Sequence, residues 1–311
     1  MTQIRSSKFN ELNKDIIEKI SLLSKEITLT NEKRAFIELM LSLSELLMTY
    51  DLSFSTAYKN IDEKATDPTY FFAAYNDTKD VDQALWIHRM VRLLTRYILL
   101  YDRFFEIGEM TYKLLATRVR RSINDFLTES DKNNDFLKRS IYFSLKQFWV
   151  FWKYEKVVKN LMLEGHSFSY QEIRGFNQIK SSDARLVYAR VLDARLPSFD
   201  ENVSLILHYN QALLDLLDDW HDIEDDIQDD MPNVFIMAAL QAIPYHRLKN
   251  SGQHSVRNIM IEALNSSSAP IIKLVNEYQT SVKNILIPDN FAFLKVVSDF
   301  HVDSLKKTIL L

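Results

Sequence analysis

The sequence predicts an all-α fold, and three observations carry that expectation. Apolar positions recur three and four residues apart almost throughout the 311 residues. The six prolines, at 68, 197, 232, 244, 270 and 288, fall between periodic segments rather than inside them. The four glycines, at 108, 165, 175 and 252, are too far apart to form a GxGxxG or GxxxxGK[ST] loop. Rossmann folds, P-loops and kinase glycine loops are thereby excluded, and any bound phosphate has to be held by cations.

In chain order, the periodicity predicts helices over 8–27 and 31–50, closed by the break TDPTY. Helices over 80–113 and 114–128 follow, with YILLYDRFFEIGEM inside the first of them. After TESDKNND comes a helix over 134–163 that contains the aromatic run FWVFWKYEK. A helix over 170–195 bears Arg174, Lys180 and Arg185, and LPSFDEN ends it. The acidic segment 202–230 comes next, then helices over 233–248, 255–265, 269–286 and 290–309, with SSSAP between the third-last and second-last. The breaks are short and no repeat or low-complexity linker occurs, so 1–311 reads as one domain. Such helices predict a single-domain bundle of ten to twelve long helices around a central cavity, the usual place for ligand and metal sites in helical folds.

Composition narrows the partners. With 47% apolar and 26% charged residues the chain can bury a large core. A net charge of −4 gives no basic surface of the kind that recruits nucleic acid or anionic lipid. The absence of cysteine removes disulfides, thiol nucleophiles, iron–sulfur clusters and cysteine-containing zinc sites. MTQIRSSKFNELNKDI lacks the apolar core of a signal peptide, and no run approaches the roughly 18 apolar residues of a membrane span. A cytoplasmic protein without stable membrane insertion is expected.

The chemistry concentrates in DLLDDWHDIEDD, where Asp215 to Asp226 puts seven carboxylates into twelve positions, with no lysine or arginine from Leu196 to His246. On a helix advancing by about 100° per residue, Asp215, Asp218, Asp222, Asp225, Asp226 and Asp229 share one stripe. Tyr209, Leu213, Leu216, Trp220, Ile223 and Ile227 lie opposite. An amphipathic surface helix with its acids in water is the plain explanation. Two features argue for more: the same stripe turns apolar toward Leu214, Gln211 and Leu207, as at the mouth of a greasy cavity, and converging carboxylates suit hard cations such as Mg²⁺. A second acidic stretch places Asp102, Glu106 and Glu109 on one helix side with Thr95 and Leu99 behind them. Asp218-x-x-His221 has the carboxylate–histidine spacing of di-iron bundles, but none of the other six histidines has Asp or Glu three residues before it, which argues against a di-iron oxidase.

Long helices, absent glycine loops and two Asp-rich stretches resemble the class I isoprenoid synthase superfamily of trans-prenyltransferases and terpene cyclases. Asp218-Asp219-Trp220-His221-Asp222 resembles its second DDxxD, and Asp218, Asp222 and Asp226 also match the cyclase NSE/DTE register. Upstream, Tyr101 stands where the first Asp is expected, leaving Asp102 and Glu106 as a degenerate first motif. The paired arginines after that motif and the GGK and GK elements of chain-elongating enzymes are absent, which favours the cyclase branch. Arg118, Arg120 and Arg121 come too late, and DDMPN stands in the last place.

The resemblance implies three Mg²⁺ ions held by Asp102, Glu106, Asp218, Asp219, Asp222 and Asp226, with Asp102, Asp218 and Asp222 as the catalytic core. It implies a prenyl diphosphate substrate, ionised so that pyrophosphate leaves and the cation is cyclised or quenched in an apolar pocket. It also implies a diphosphate-sensing cation on the helix before the acidic one, where Arg174, Lys180 and Arg185 are available. Leu99, Leu207, Gln211 and Leu214 are the expected lining, with Phe148, Trp149 and Trp152 as aromatic candidates, although aromatic runs at helical spacing more often serve as core. A homodimer is compatible with the resemblance. The alternatives are a chain-elongating prenyl diphosphate synthase on the same fold and a non-catalytic helical scaffold.

Overall fold

In the computed structural model, residues 14–23, 25–26, 33–50, 67–130, 135–250, 253–267 and 269–309 are described. Part of the helix expected over 8–27 lies outside them. Among the described residues there is no β-strand, as the sequence predicts. The helices are α1 (Lys33–Tyr50), α2 (Pro68–Thr78), α3 (Val81–Ile107), α4 (Met110–Ser130), α5 (Asp135–Leu163) and α6 (Tyr170–Lys180). A π-helical turn, Ala184–Tyr188, leads to α7 (Ala189–Asp193), α8 (Glu201–His221), α9 (Ile223–Gln228), α10 (Val234–Ala239) and α11 (Tyr245–Lys249). Next come α12 (Gln253–Ser267), α13 (Ala269–Asn284), a 3₁₀ turn over Asp289–Phe291, and α14 (Phe293–Ile309).

Among the described residues the helices are more numerous than ten to twelve, and several expected spans are interrupted for identifiable reasons. TDPTY is not a break but the start of α2: Asp67 caps it by accepting from the Thr69 amide at 2.8 Å, and Pro68 occupies its first turn. The span 80–113 ends early because Gly108 adopts φ 80° and its amide returns to the Phe104 carbonyl. Glu109 therefore lies beyond the helix that carries Asp102 and Glu106. The segment 170–195 stops at Lys180 and widens into the π turn, and 202–230 bends at Asp222, whose φ of −89° and ψ of 4° leave the helical basin. Pro244 divides 233–248 into α10 and α11.

The chain forms two compact units built from discontinuous segments. The first comprises Met1–Ile141, Arg190–Asp200 and Pro288–Ala292. Here α2 is buried on every side from Thr69 to Asn76, so it serves as a core helix rather than an amphipathic one. It packs against α3, which in turn packs along α4 through Trp86 stacked on Phe126 at 5.4 Å. The returning strand of chain is tied to α3 where Gln83 donates to the Arg195 carbonyl at 2.6 Å and the Arg195 guanidinium sits 4.2 Å over Trp86.

The second unit comprises Tyr142–Ala189, Glu201–Ile287 and Phe293–Leu311. Its central helix is α8, which packs against α14, the π turn, α6, α13 and α10. Leu213, Leu216 and Trp220, with Ile223 and Ile227 of α9, join a core that includes Phe176, Phe235 and Tyr278. α6 begins with a complete capping box between Ser169 and Glu172. Its Asn177 joins two neighbours: the Tyr278 hydroxyl donates to its Oδ1 at 2.7 Å, and its Nδ2 donates to the Ala212 carbonyl at 3.3 Å.

Candidate metal centre on the acidic helix

The acidic stripe of α8 is not uniformly solvated. Asp215 is 8% exposed and Asp219 only 1%, whereas Asp218 is half-buried and Asp222 and Asp225 are exposed. Burial on this scale demands partners, since a carboxylate taken out of water without them loses several kcal/mol. Each buried acid has its own. Asp215 accepts from Ser181 Oγ at 2.5 Å and from Gln211 Nε2 at 2.8 Å. Asp219 pairs with Lys180 Nζ through one oxygen and accepts the Val234 amide at 2.9 Å through the other.

Asn233 is the joint between the acidic helix and the segment after it. It is fully buried and caps α10, its Oδ1 accepting from the amides of Phe235 at 2.8 Å and Ile236 at 3.4 Å. Its Nδ2 donates to the Asp219 carbonyl at 2.6 Å and to Asp226 Oδ2 at 2.7 Å. Asn233→Ala is expected to destabilise the protein by about 2–4 kcal/mol, combining a lost cap with two buried acceptors left short of a donor. Chemical denaturation measures it, and Asn233→Asp separates the two roles: the cap acceptor survives there and the donors do not, so wild-type stability in that variant would remove the donors from the explanation.

The cations missing between Leu196 and His246 come from other helices. Arg257 pairs with Glu224 at 3.2 Å and lies 5.9 Å over Trp220. Lys249 pairs with Asp230 at 2.7 Å and donates to the carbonyls of Ile227 and Gln228, while Lys159 donates to the Asp229 carbonyl at 3.1 Å. Two ammonium groups thus cap the C-terminus of α9, where the helix dipole favours positive charge.

Neutralisation remains incomplete around Lys180. Burial by itself would lower the Lys180 ammonium, yet Asp219, Asp215 and Asp226 together hold it above the usual lysine range. Burial and then the Asp219 charge push Asp226 up to about 7, beyond what the Asn233 bond and Lys180 offset. Asp183, at the head of the π turn, and Asp215 are both raised by burial, and Asp215's charge adds to the rise at Asp183. The pocket of charge around Lys180 therefore holds more carboxylate than cation, an environment that accepts a further positive ion.

The register across the bend is preserved. The Asp222 amide donates to the Asp218 carbonyl and the Asp226 amide to the Asp222 carbonyl, both at 2.8 Å. Asp218, Asp222 and Asp226 therefore keep their i, i+4, i+8 relation although two helices meet there. Among the described residues, no group of three or more His, Asp or Glu side chains is placed to hold a metal ion.

The expected diphosphate cations all hold carboxylates: Arg174 pairs with Glu277 at 2.7 Å, Lys180 with Asp219 and Arg185 with Glu201. Tyr170 adds a 2.5 Å bond to the same Glu277. Of the lining candidates, Leu207, Phe148 and Trp152 are buried, Gln211 and Leu214 are half-buried, and Trp149 is exposed. Leu99, Asp102 and Glu106 belong to α3 in the first unit, where Glu106 pairs with Arg103 at 3.0 Å. Sequence reasoning passed over Ser181, Asp183 and Asn233. For Asn233 a signal existed, an Asn directly before the apolar run VFIMAA.

No protein-family model matches the chain, and no curated protein matches it.

Proposed function

We propose that the protein is a magnesium-dependent class I terpene synthase, which ionises a prenyl diphosphate, releases pyrophosphate and cyclises or quenches the carbocation. The observation that supports this best is the unbroken i, i+4, i+8 register of Asp218, Asp222 and Asp226 beside a surplus of buried carboxylate. These three residues would hold the metal. When bound, Mg²⁺ supplies positive charge to the departing diphosphate. The chain's own part is orientation. Lys180 and the Val234 amide fix Asp219, and Asn233 holds one oxygen of Asp226, so the acidic segment presents a defined set of oxygens. Arg174, already aimed by Glu277, would exchange a carboxylate for phosphate oxygens when substrate arrives.

The test is incubation with Mg²⁺ and geranyl, farnesyl or geranylgeranyl diphosphate singly, reading pyrophosphate release together with gas chromatography of an organic extract. Product is expected, and Asp218→Ala or Asp222→Ala is expected to reduce it by about a thousandfold or more, equivalent to about 4 kcal/mol of barrier. Asp102→Ala in the same assay tests the degenerate first motif. Product formed only with added isopentenyl diphosphate identifies chain elongation instead.

A non-catalytic helical protein is the second reading. It is favoured by the protein partners of Asp215, Asp219, Asp226, Asp230 and Glu224, which knit the acidic segment into the fold without a metal. Silence with every substrate would select it.

A further inference from the structure

The longest helix, α5, carries a surface that neither the metal centre nor the core uses. Its buried side holds Leu137, Ile141, Leu145, Phe148, Trp152 and Val158. On the other side, Phe136, Phe143, Val150 and Val157 recur every seven residues and are 81%, 66%, 65% and 54% exposed. Seven residues are close to two turns, so these four side chains form one line along the helix. Successive members stand about 10 Å apart, with Arg139, Lys146 and Lys153 in the turns between them, so the exposed face interleaves large apolar groups with bases.

Charge says what covers it. Arg139, Lys146 and Lys153, also exposed and also seven apart, run beside the apolar line at a displacement of about 40–60° around the helix axis. The helix has six Lys or Arg against two acidic residues, a net +4 (6 − 2), within a chain whose total is −4. The overall sum, which argues against a surface for anionic lipid, conceals local differences: the stretch from Leu196 to His246 has no lysine or arginine, whereas α5 is basic. A second copy of the chain is a poor occupant, because its line would bring an identical basic row against this one. No described helix is long and apolar enough to cross a membrane, so the helix does not span one.

We infer that the exposed side of α5 docks the protein on an anionic lipid bilayer, with Phe143 and Val150 entering the headgroup–acyl boundary and Lys146 and Lys153 reaching anionic headgroups. A line of aromatic and aliphatic groups flanked by basic side chains is what interfacial helices use, and both contributions are needed for stable attachment.

The experiment is co-sedimentation of the full chain with phosphatidylcholine vesicles, with and without phosphatidylserine, at low and high salt. Binding is expected only with phosphatidylserine and is expected to weaken as salt rises. Lys146→Glu with Lys153→Glu should reduce the bound-to-free ratio by at least about tenfold, and Phe143→Ser with Val150→Ser by a similar factor. Because all four side chains are exposed, circular dichroism melts of both variants should match the wild type, so lost binding cannot be assigned to unfolding. Failure to bind phosphatidylserine vesicles, or binding that both variants retain, overturns the inference. So does a monomer–dimer equilibrium, seen by sedimentation velocity without lipid, that Phe143→Ser with Val150→Ser abolishes, since a second copy would then cover the line.

Discussion

Lys180→Met is expected to destabilise the protein by about 3 kcal/mol. The substitution keeps the length and apolar stem of the side chain and removes its charge, leaving the nearly inaccessible Asp219 carboxylate with a single amide donor from Val234. Breaking a buried pair on one side typically costs about 3–5 kcal/mol, and the lower end applies because the Lys180 side chain keeps 30% of its surface in water. The loss extends beyond one pair, since Asp215 and Asp226 face the same ammonium. The double variant Lys180→Met with Asp219→Asn should recover at least about 1 kcal/mol relative to Lys180→Met alone, because the stranded charge is gone while an oxygen remains for the Val234 amide. Urea denaturation of the four proteins of this cycle measures it. Additive losses would mean that Lys180 acts through its stem and not its charge.

The second large effect depends on pH and is isolated by Asp226→Asn. Burial and the Asp219 charge raise Asp226 in the folded state to about 7, against about 3.9 unfolded. Between these values the folded chain binds the extra proton, so stability falls as pH rises through that window and levels off above it. Near pH 5 the protonated carboxyl and the amide are both neutral, and the two proteins should be similar in stability. Near pH 8 the variant should be the more stable by about 1–3 kcal/mol, as it has no buried charge to carry. The wild-type curve alone would mix signs, because burial depresses the imidazoles of His208 and His301, which destabilise the fold as pH falls. The difference between the two proteins removes those terms. Added Mg²⁺ near pH 8 should narrow the gap, because a divalent ion on Asp226 stabilises the ionised form that the variant lacks. A gap independent of pH would place Asp226 in water, and a gap that Mg²⁺ leaves unchanged would remove it from the metal ligands.

Much of the fold was legible because helix periodicity and punctuation are local. The apolar face of the acidic segment, with Leu213, Leu216, Trp220, Ile223 and Ile227, is buried as the 100° spacing requires. Proline and glycine were less transparent. Pro68 starts a helix where a break was expected, since its missing amide costs nothing in a first turn, and Gly108 ends one that periodicity alone would have carried to 113. The bend at Asp222 has no comparable mark in the sequence. The acidic run consists of middling helix formers that mark no single position, and Asn233, which ties Asp219 to Asp226 across the bend, lies seven residues beyond the second of them.

What the sequence by itself determined is the helical class, the concentration of carboxylates on one stripe and the i, i+4, i+8 spacing of Asp218, Asp222 and Asp226, because these follow from residue order and helix geometry. What only the tertiary structure decided is which of those carboxylates are already occupied. Lys180, Lys249 and Arg257 lie 19 to 39 residues from the acids they neutralise, and Asp215 and Asp219 are buried because other helices cover them. Charge balance is a property of neighbours in space, so a run with no lysine or arginine from Leu196 to His246 can be crowded with cations once the chain folds, and it still keeps a surplus of carboxylate around Lys180.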